Sequence, residues 1–416
     1  MTQIANTPST SSRITTRTMI IIILILRIVM DTGTKLFFPY LSVIAIGLGT
    51  TPVELGKLLS WRNMTGLISP FLGAMADRRG YRPIVSGSLI FAGIGFLIIF
   101  FSRSQTGFMI GILLGALGGA GANPNISAYL SHRLPWEKRS RGLGVVEYAW
   151  GLASIIGVSL SGVLIAFTSW RAPFLIIGCA MFVFAAVFYR FPSSGREEEQ
   201  QTQNREKSST LTLREKIFDF FYLGPNWRSA VATLIADSFT RFAGFLLFIN
   251  FGTWLTIQFD LNTAGLAAAV FWLGFADICG SVAVSAFGDR IGKRKSVISG
   301  TIIGALFFLV LPLWQGSLAW VIVGIFLARA AFEFSIVSYS VLASEQTPEH
   351  RGKMLAQRVA LSLVSTFMAT RFGPQIFEAY SVTGFAWISA ASLGISCLVA
   401  IFMINDGLSD HVEISQ

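Results

Sequence analysis

The residues that could do chemistry in this chain are charges standing where charge is costly. Arg27, Asp31 and Lys35 occur at i, i+4 and i+8 inside a long apolar stretch, a spacing that places all three on one face of a helix. Asp237 and Arg241 repeat the i, i+4 arrangement, and Arg329 and Glu333 repeat it again. Arg62, Asp277, Arg358 and Arg371 are further charges within apolar runs. A charge at the centre of a bilayer costs at least about 2.5–3.5 kcal/mol on insertion scales, so such residues pair with one another or mark a pathway. Two readings stay open: intrahelical ion pairs that survive beside a water-filled cleft, or groups that handle solute and protons. A carboxylate beside a cation stays ionised until the partner moves or another anion competes for it. Asp31 and Asp237 are therefore the first proton-coupling candidates, with Glu333 and Asp277 behind them. Arg27, Lys35, Arg241 and Arg329 are candidates for binding an anionic group, the arginines in bidentate fashion. Eight cations within apolar runs against roughly seven carboxylates lean toward an anionic or zwitterionic solute.

Some uncharged residues join this set. Asn123, Pro124 and Asn125 interrupt an apolar run. A proline there frees a backbone carbonyl, which is tolerated where another helix or water supplies a partner. Asn123 is thus a cavity-lining candidate, and Tyr129 and Tyr339 are candidates of the same kind or aromatics at interface depth. Metal and enzymatic chemistry find no support. His132, His350 and His411 stand apart in loops or the tail, without H-E-x-x-H or related spacing, and no glycine-rich phosphate loop is present. Cys179, Cys279 and Cys397 lie in apolar runs without metal-type spacing. No cofactor and no catalytic residue is expected.

The elements that must carry these residues follow from composition. Of 416 residues, 53% are apolar and only 13% charged, with 36 Phe and 40 Gly. The mean hydropathy is +0.63. A soluble domain carries about 25% charged residues, so the chain reads as an all-α polytopic membrane protein. Twelve stretches are long and apolar enough to span a bilayer: 19–46, 52–76, 83–101, 107–131, 142–167, 172–191, 228–258, 263–288, 296–313, 318–344, 352–379 and 382–404. A hydrophilic linker, 192–227, divides them six and six, and residues 211–222 have the pattern of a short amphipathic helix. With both termini on one side, that side holds 22 of the 32 basic residues and the other only Arg103 and Arg171. The positive-inside rule places the termini and linker in the cytoplasm. The net charge of +10 is then a topology code, and nucleic-acid binding is not expected.

The two sets of spans resemble each other. Asp31-Thr32-Gly33-Thr34-Lys35 aligns with Asp237-Ser238-Phe239-Thr240-Arg241, Asp77–Arg82 with Asp289–Arg294, Arg141-Gly142 with Arg351-Gly352, and Tyr129 with Tyr339, at near-constant offset. Equal span number and orientation make the halves parallel repeats about an axis along the membrane normal, with a cleft between them.

Gly73-Ala74-Met75-Ala76-Asp77-Arg78-Arg79-Gly80-Tyr81-Arg82 resembles the signature loop of the major facilitator superfamily, G-x-L-A-D-R-x-G-R-K/R. Gly288–Lys295 is similar to its weaker second copy, and Trp170-Arg171-Ala172-Pro173-Phe174 to the W-R-x-x-F that opens the sixth helix. The stretch Gly157–Gly162 departs from the G-P-x-x-G-G of many drug–proton antiporters: the proline is absent and one glycine is serine. The resemblance covers essentially the whole chain. It implies twelve transmembrane helices as two six-helix bundles, here 19–191 and 228–404, between an N-terminal tail (1–18) and a C-terminal tail (405–416). It also implies secondary transport by alternating access, by a monomer in the plasma or inner membrane, with a gating role for Asp77. Arg78, Arg82, Arg141, Glu147, Asp289 and Arg290 join Asp77 as gating candidates. The expected solute is small and polar, anionic or zwitterionic, moved with protons; the alternative is proton-driven export of amphipathic, drug- or lipid-like compounds.

Overall fold

A computed structural model describes residues 16–134, 144–191, 222–347 and 350–405, except the side chain of Asp289. The amphipathic pattern at 211–221 and Arg141 lie outside these residues. The described residues are predominantly helical, as a lipid environment requires, because a helix pairs its backbone N–H and C=O groups within one segment. The helices are α1 (Thr16–Lys35), α2 (Pro52–Arg79, tightened to a 3-10 turn at Thr65–Ile68), α3 (Tyr81–Phe101), α4 (Gln105–Arg133), α5 (Gly144–Phe167) and α6 (Ala172–Tyr189) in the first half. The second half begins with α7 (Trp227–Phe259), α8 (Thr263–Ile291), α9 (Lys293–Trp314) and α10 (Leu318–Gln346).

The last helix runs from Arg351 to Phe402 without a loop, but Ser381 has φ 55° and ψ −153°. Fifty-two residues in one straight helix would reach about 78 Å, more than twice the roughly 30 Å hydrocarbon layer. The chain folds back at Ser381 and supplies two spans, α11 (351–380) and α12 (382–402). This brings the described helices to the twelve of the fold.

The first span differs from the sequence expectation. It does not continue to residue 46. It ends at Lys35, turns through 36–40, and resumes as a short helix, Leu41–Gly47, which meets α2 at a bend of 105°. Pro39 has no N–H to donate and its ring crowds the preceding turn, which favours a break in the helix here. The charged face of α1 therefore ends beside an irregular turn in the protein interior.

Local chemistry fixes the remaining helix ends. Thr51, Ser104 and Asn262 cap α2, α4 and α8 by accepting from Glu54 N, Gly107 N and Gly265 N at 3.2, 3.1 and 2.9 Å. Gly80 and Gly292 join α2 to α3 and α8 to α9 at φ 94° and 88°, the left-handed region that side chains avoid. The repeat extends to the arginines that follow. Arg82 donates to the Tyr189 carbonyl at the end of α6, and Arg294 to the Ala400 and Ile401 carbonyls at the end of α12. Both cap the orphan carbonyls of the sixth helix of their own half.

The arrangement of polarity is that of a membrane protein. Phe71, Phe101, Phe167, Leu313 and Phe402 are exposed, whereas Arg27, Asp31, Lys35, Asp237, Asp277, Arg329 and Arg358 are buried. Within a half, small residues allow close helix approach. A Cβ at Gly95 would press on the backbone of Gly111 and Gly115, joining α3 to α4.

Candidate functional site

The charges gather into three clusters on the inner faces of the two halves. The central one joins the halves. Lys35, at the end of α1, donates to the Trp150 carbonyl (2.7 Å) and Ser154 Oγ (2.8 Å) on α5 and to Asp277 Oδ2 on α8 (3.4 Å). Its ammonium also lies 3.8 Å from the centre of the Trp150 ring, a cation–π contact. Arg329 on α10 forks onto the same carboxylate, Nε to Oδ1 at 2.5 Å and Nη2 to Oδ2 at 3.2 Å. Lys35, Asp277 and Arg329 are 1%, 3% and 2% exposed. One turn along α10, Glu333 accepts from Ser281 Oγ of α8 at 3.3 Å. Two cations and two carboxylates thus balance, with Lys35, Asp277 and Arg329 fully buried, and removing a partner from that buried trio leaves a costly unpaired charge.

This geometry corrects the intrahelical reading in two places. Lys35 does not complete a ladder with Asp31 but crosses to α8. Arg329 turns from Glu333 to Asp277, because a carboxylate facing it from another helix satisfies the planar guanidinium fork that a neighbour one turn away does not. On α1 only Arg27 and Asp31 pair within the helix, at 3.7 Å. The exposed Glu147 of α5 brings a second carboxylate into the field of Asp31.

The third cluster lies in the second half. Asp237 accepts from Arg241 Nε at 2.9 Å and from Arg358 Nη2 of α11 at 3.0 Å. Arg358 also donates to the Ile336 carbonyl at 2.9 Å, so α7, α10 and α11 are tied together inside one half. The sequence pairs Asp237 with Arg241 correctly but gives Arg358 no role. Its only signal is its charge in an apolar run.

Several candidates have other surroundings. Tyr129 packs on Phe188 and Phe191 inside the first half, and the Tyr339 hydroxyl pairs with Ser396 Oγ at 2.6 Å inside the second. Both are fully buried, away from the seam between halves. Asp77 accepts from the Tyr81 hydroxyl at 2.6 Å, and that hydroxyl lies 3.3 Å from His132 Nε2. Arg78 flanks Asp77 in the last turn of its helix, and Arg290 is exposed at the end of α8. Trp150, Ser154 and Ser281 enter the site unannounced, since nothing in their types or spacing separates them from other residues of apolar helices.

The halves seal against each other on the side away from Asp77. There Ser42 bonds Thr253 at 2.8 Å, Ser159 Oγ donates to the Ala267 carbonyl at 3.0 Å, and α11 packs along the first part of α2. Gly252 lies so close to Pro39 that a Cβ would strike its carbonyl. Toward Asp77, Phe71 is 76% exposed and a Cβ at Gly73 would meet nothing within 4 Å. Gly157 and Gly162 hold α1 and its turn against α5, facing Thr32 and Tyr40. That is the use this chain makes of the glycines in its departed motif.

Two six-helix halves enclosing buried, mutually paired charges and held together at one end define a polytopic transporter. The Major Facilitator Superfamily profile matches residues 23–263 and 233–413, and the chain belongs to that superfamily. It is 24% identical over 401 residues to the class H tetracycline resistance protein of Pasteurella multocida, spanning 92% of this chain and 95% of the relative. It is 23% identical over 346 residues to the uncharacterized MFS-type transporter YwfA of Bacillus subtilis, spanning 80% and 79%. The solved D-xylose–proton symporter has the same fold, with a TM-score of 0.74 at 17% identity over 93% of this chain and 97% of that one. The inward open conformation of the xylose transporter XylE from E. coli gives 0.72 at 16% over 95% and 97%. The chain is accordingly a multi-pass integral membrane transporter and not an enzyme.

Proposed function

We propose that the protein is a proton-coupled secondary transporter of a small polar solute, anionic or zwitterionic, and that residues 19–191 and 228–404 rock as two bodies about the central charge network. The observation that carries this reading is the ion pair between Lys35 of the first half and Asp277 of the second. It is a bond between the moving bodies whose strength depends on the charge of a carboxylate. Protonation of Asp277 or of the adjacent Glu333 weakens the hold on Lys35, and the halves are then freer to exchange one sealed end for the other. Asp31 and Asp237 serve as further proton-accepting sites, one in each half. Asp77, Arg78, Arg82, Arg141, Glu147, Asp289 and Arg290 belong to the gating surface. With the basic loops in the cytoplasm, the state described here opens inward.

The test is solute-driven proton movement in proteoliposomes, with solutes first selected by thermal shift. Wild type is expected to acidify or alkalinise the lumen on solute addition, Asp277→Asn to move solute without protons, and Asp31→Asn and Asp237→Asn to lose part of the coupling. Unchanged coupling in Asp277→Asn would remove the tie from the mechanism, and solute flux indifferent to an imposed pH gradient would remove protons from it. A second reading, proton-driven export of amphipathic compounds, is supported by relatives named for tetracycline resistance over nearly the full length of the chain. An outwardly directed flux of an amphipathic compound in the same vesicles selects it.

A further inference from the structure

Among the described residues, five intramembrane cations face a carboxylate within 4.0 Å: Arg27, Lys35, Arg241, Arg329 and Arg358. Arg62, midway along α2, does not. Its one hydrogen bond goes from Nη1 to the Thr34 carbonyl at 2.9 Å, and its guanidinium lies 5.3 and 5.5 Å from the ring centres of Phe37 and Phe38. A guanidinium has five N–H donors, so most of this fork is unused, and it borders a cavity of about 280 Å³ between α1, α2, α3, α4 and α11. A cation kept in a membrane interior without a counter-charge, beside open space, is arranged to receive one.

The opposite wall has the complementary deficit. Asn123 Oδ1 is buried without a hydrogen-bond partner and lines this cavity. So does Ala120, whose carbonyl loses its i+4 donor because that residue is Pro124. Phe37, Phe96 and Ile99 supply an apolar floor. The volume lies just below the usual range for ligand pockets, about 300–1,000 Å³, which suits a small solute.

We infer that Arg62 and Asn123 bind a small monoanion: its carboxylate on the Arg62 fork, a hydroxyl or N–H donor on Asn123 Oδ1, and an apolar body against Phe37 and Phe96. The inference rests on the transporter reading and names its substrate class.

Mandelate, phenylacetate and methyl mandelate test it, because the second lacks the donor and the third the charge. Binding is measured by titration calorimetry on the purified full-length protein. Mandelate is expected to bind, phenylacetate about tenfold more weakly because Asn123 stays unpaired, and the ester not measurably. Arg62→Gln is expected to abolish mandelate binding and Arg62→Lys to weaken it at least about tenfold by losing the bidentate contact. Asn123→Leu should erase the preference for mandelate over phenylacetate. Arg103→Gln, an exposed cation outside the cavity, should bind mandelate as wild type does. Arg62→Lys keeps the charge and answers the question if Arg62→Gln does not fold. Failure of wild type to bind mandelate, or equal affinity in Arg62→Lys and wild type, overturns the site. Either result leaves the transporter reading standing if the halves still alternate; absence of alternation defeats that reading whatever binds.

Discussion

Asp277 is the residue on which the central cluster turns, because it faces two cations, Lys35 from the first half and Arg329 from the second. Replacing it by asparagine leaves Lys35 and Arg329 buried opposite a neutral amide. Removing one partner of a buried ion pair typically costs about 3–5 kcal/mol. The expected result is a clear fall in the apparent Tm of purified Asp277→Asn, read by the temperature at which the monodisperse peak is lost. Lys35→Met alone removes a cation whose carboxylate is still held by Arg329, so its loss should be smaller. In the double variant the two effects should fall short of additivity by roughly 0.5–3 kcal/mol, the range for contacting residues. Strict additivity would mean that the 3.4 Å approach of Lys35 to Asp277 contributes nothing to holding the halves together.

At the scale of elements, glycines separate packing within a half from packing between halves. Gly95 and Gly252 both sit against backbone, but Gly95 faces α4 of its own half, whereas Gly252 on α7 faces Pro39 in the turn after α1. Gly95→Ala is therefore expected to lower folded yield without altering the conformational balance. Gly252→Ala forces open the sealed side, and the halves should rock toward closure on the Asp77 side. Spin labels at 71 and 355, one in each half on α2 and α11, should report a shorter mean distance in Gly252→Ala and an unchanged one in Gly95→Ala. Much of this architecture is legible in the sequence: hydropathy gives the spans and the fold-back near 381, while the paired loops at Asp77 and Asp289 give the repeat. The break after Lys35 was less legible, since Leu41–Gly47 prolongs the apolar run. Pro39 was its one local sign. The cross-helix choices of Lys35 and Arg329 were not legible at all. Spacing reports which residues share a helix face, whereas their partners depend on how two distant helices are rotated against each other.

For the molecule as a whole, the two sites meet at consecutive residues of α1. The Thr34 carbonyl accepts from Arg62, and Lys35 crosses to Asp277. Both stand where α1 gives way to the turn that carries Pro39 to the sealed side, so a change at the cavity and a change at the seam bear on one irregular segment. A ligand shifts an equilibrium only by the difference in its affinity for the two states. An anion on Arg62 qualifies if its hold differs when that segment moves. The 71–355 pair reads the outcome. Mandelate is expected to shift its distance distribution in wild type. In Lys35→Met, where the tie between halves is absent, the unliganded distribution should already be displaced and the anion should add little. A mandelate shift of equal size in both proteins would show that the cavity acts on the halves without Lys35 and would uncouple the two sites. A shift absent from wild type but accompanied by binding would make the cavity a bystander to rocking.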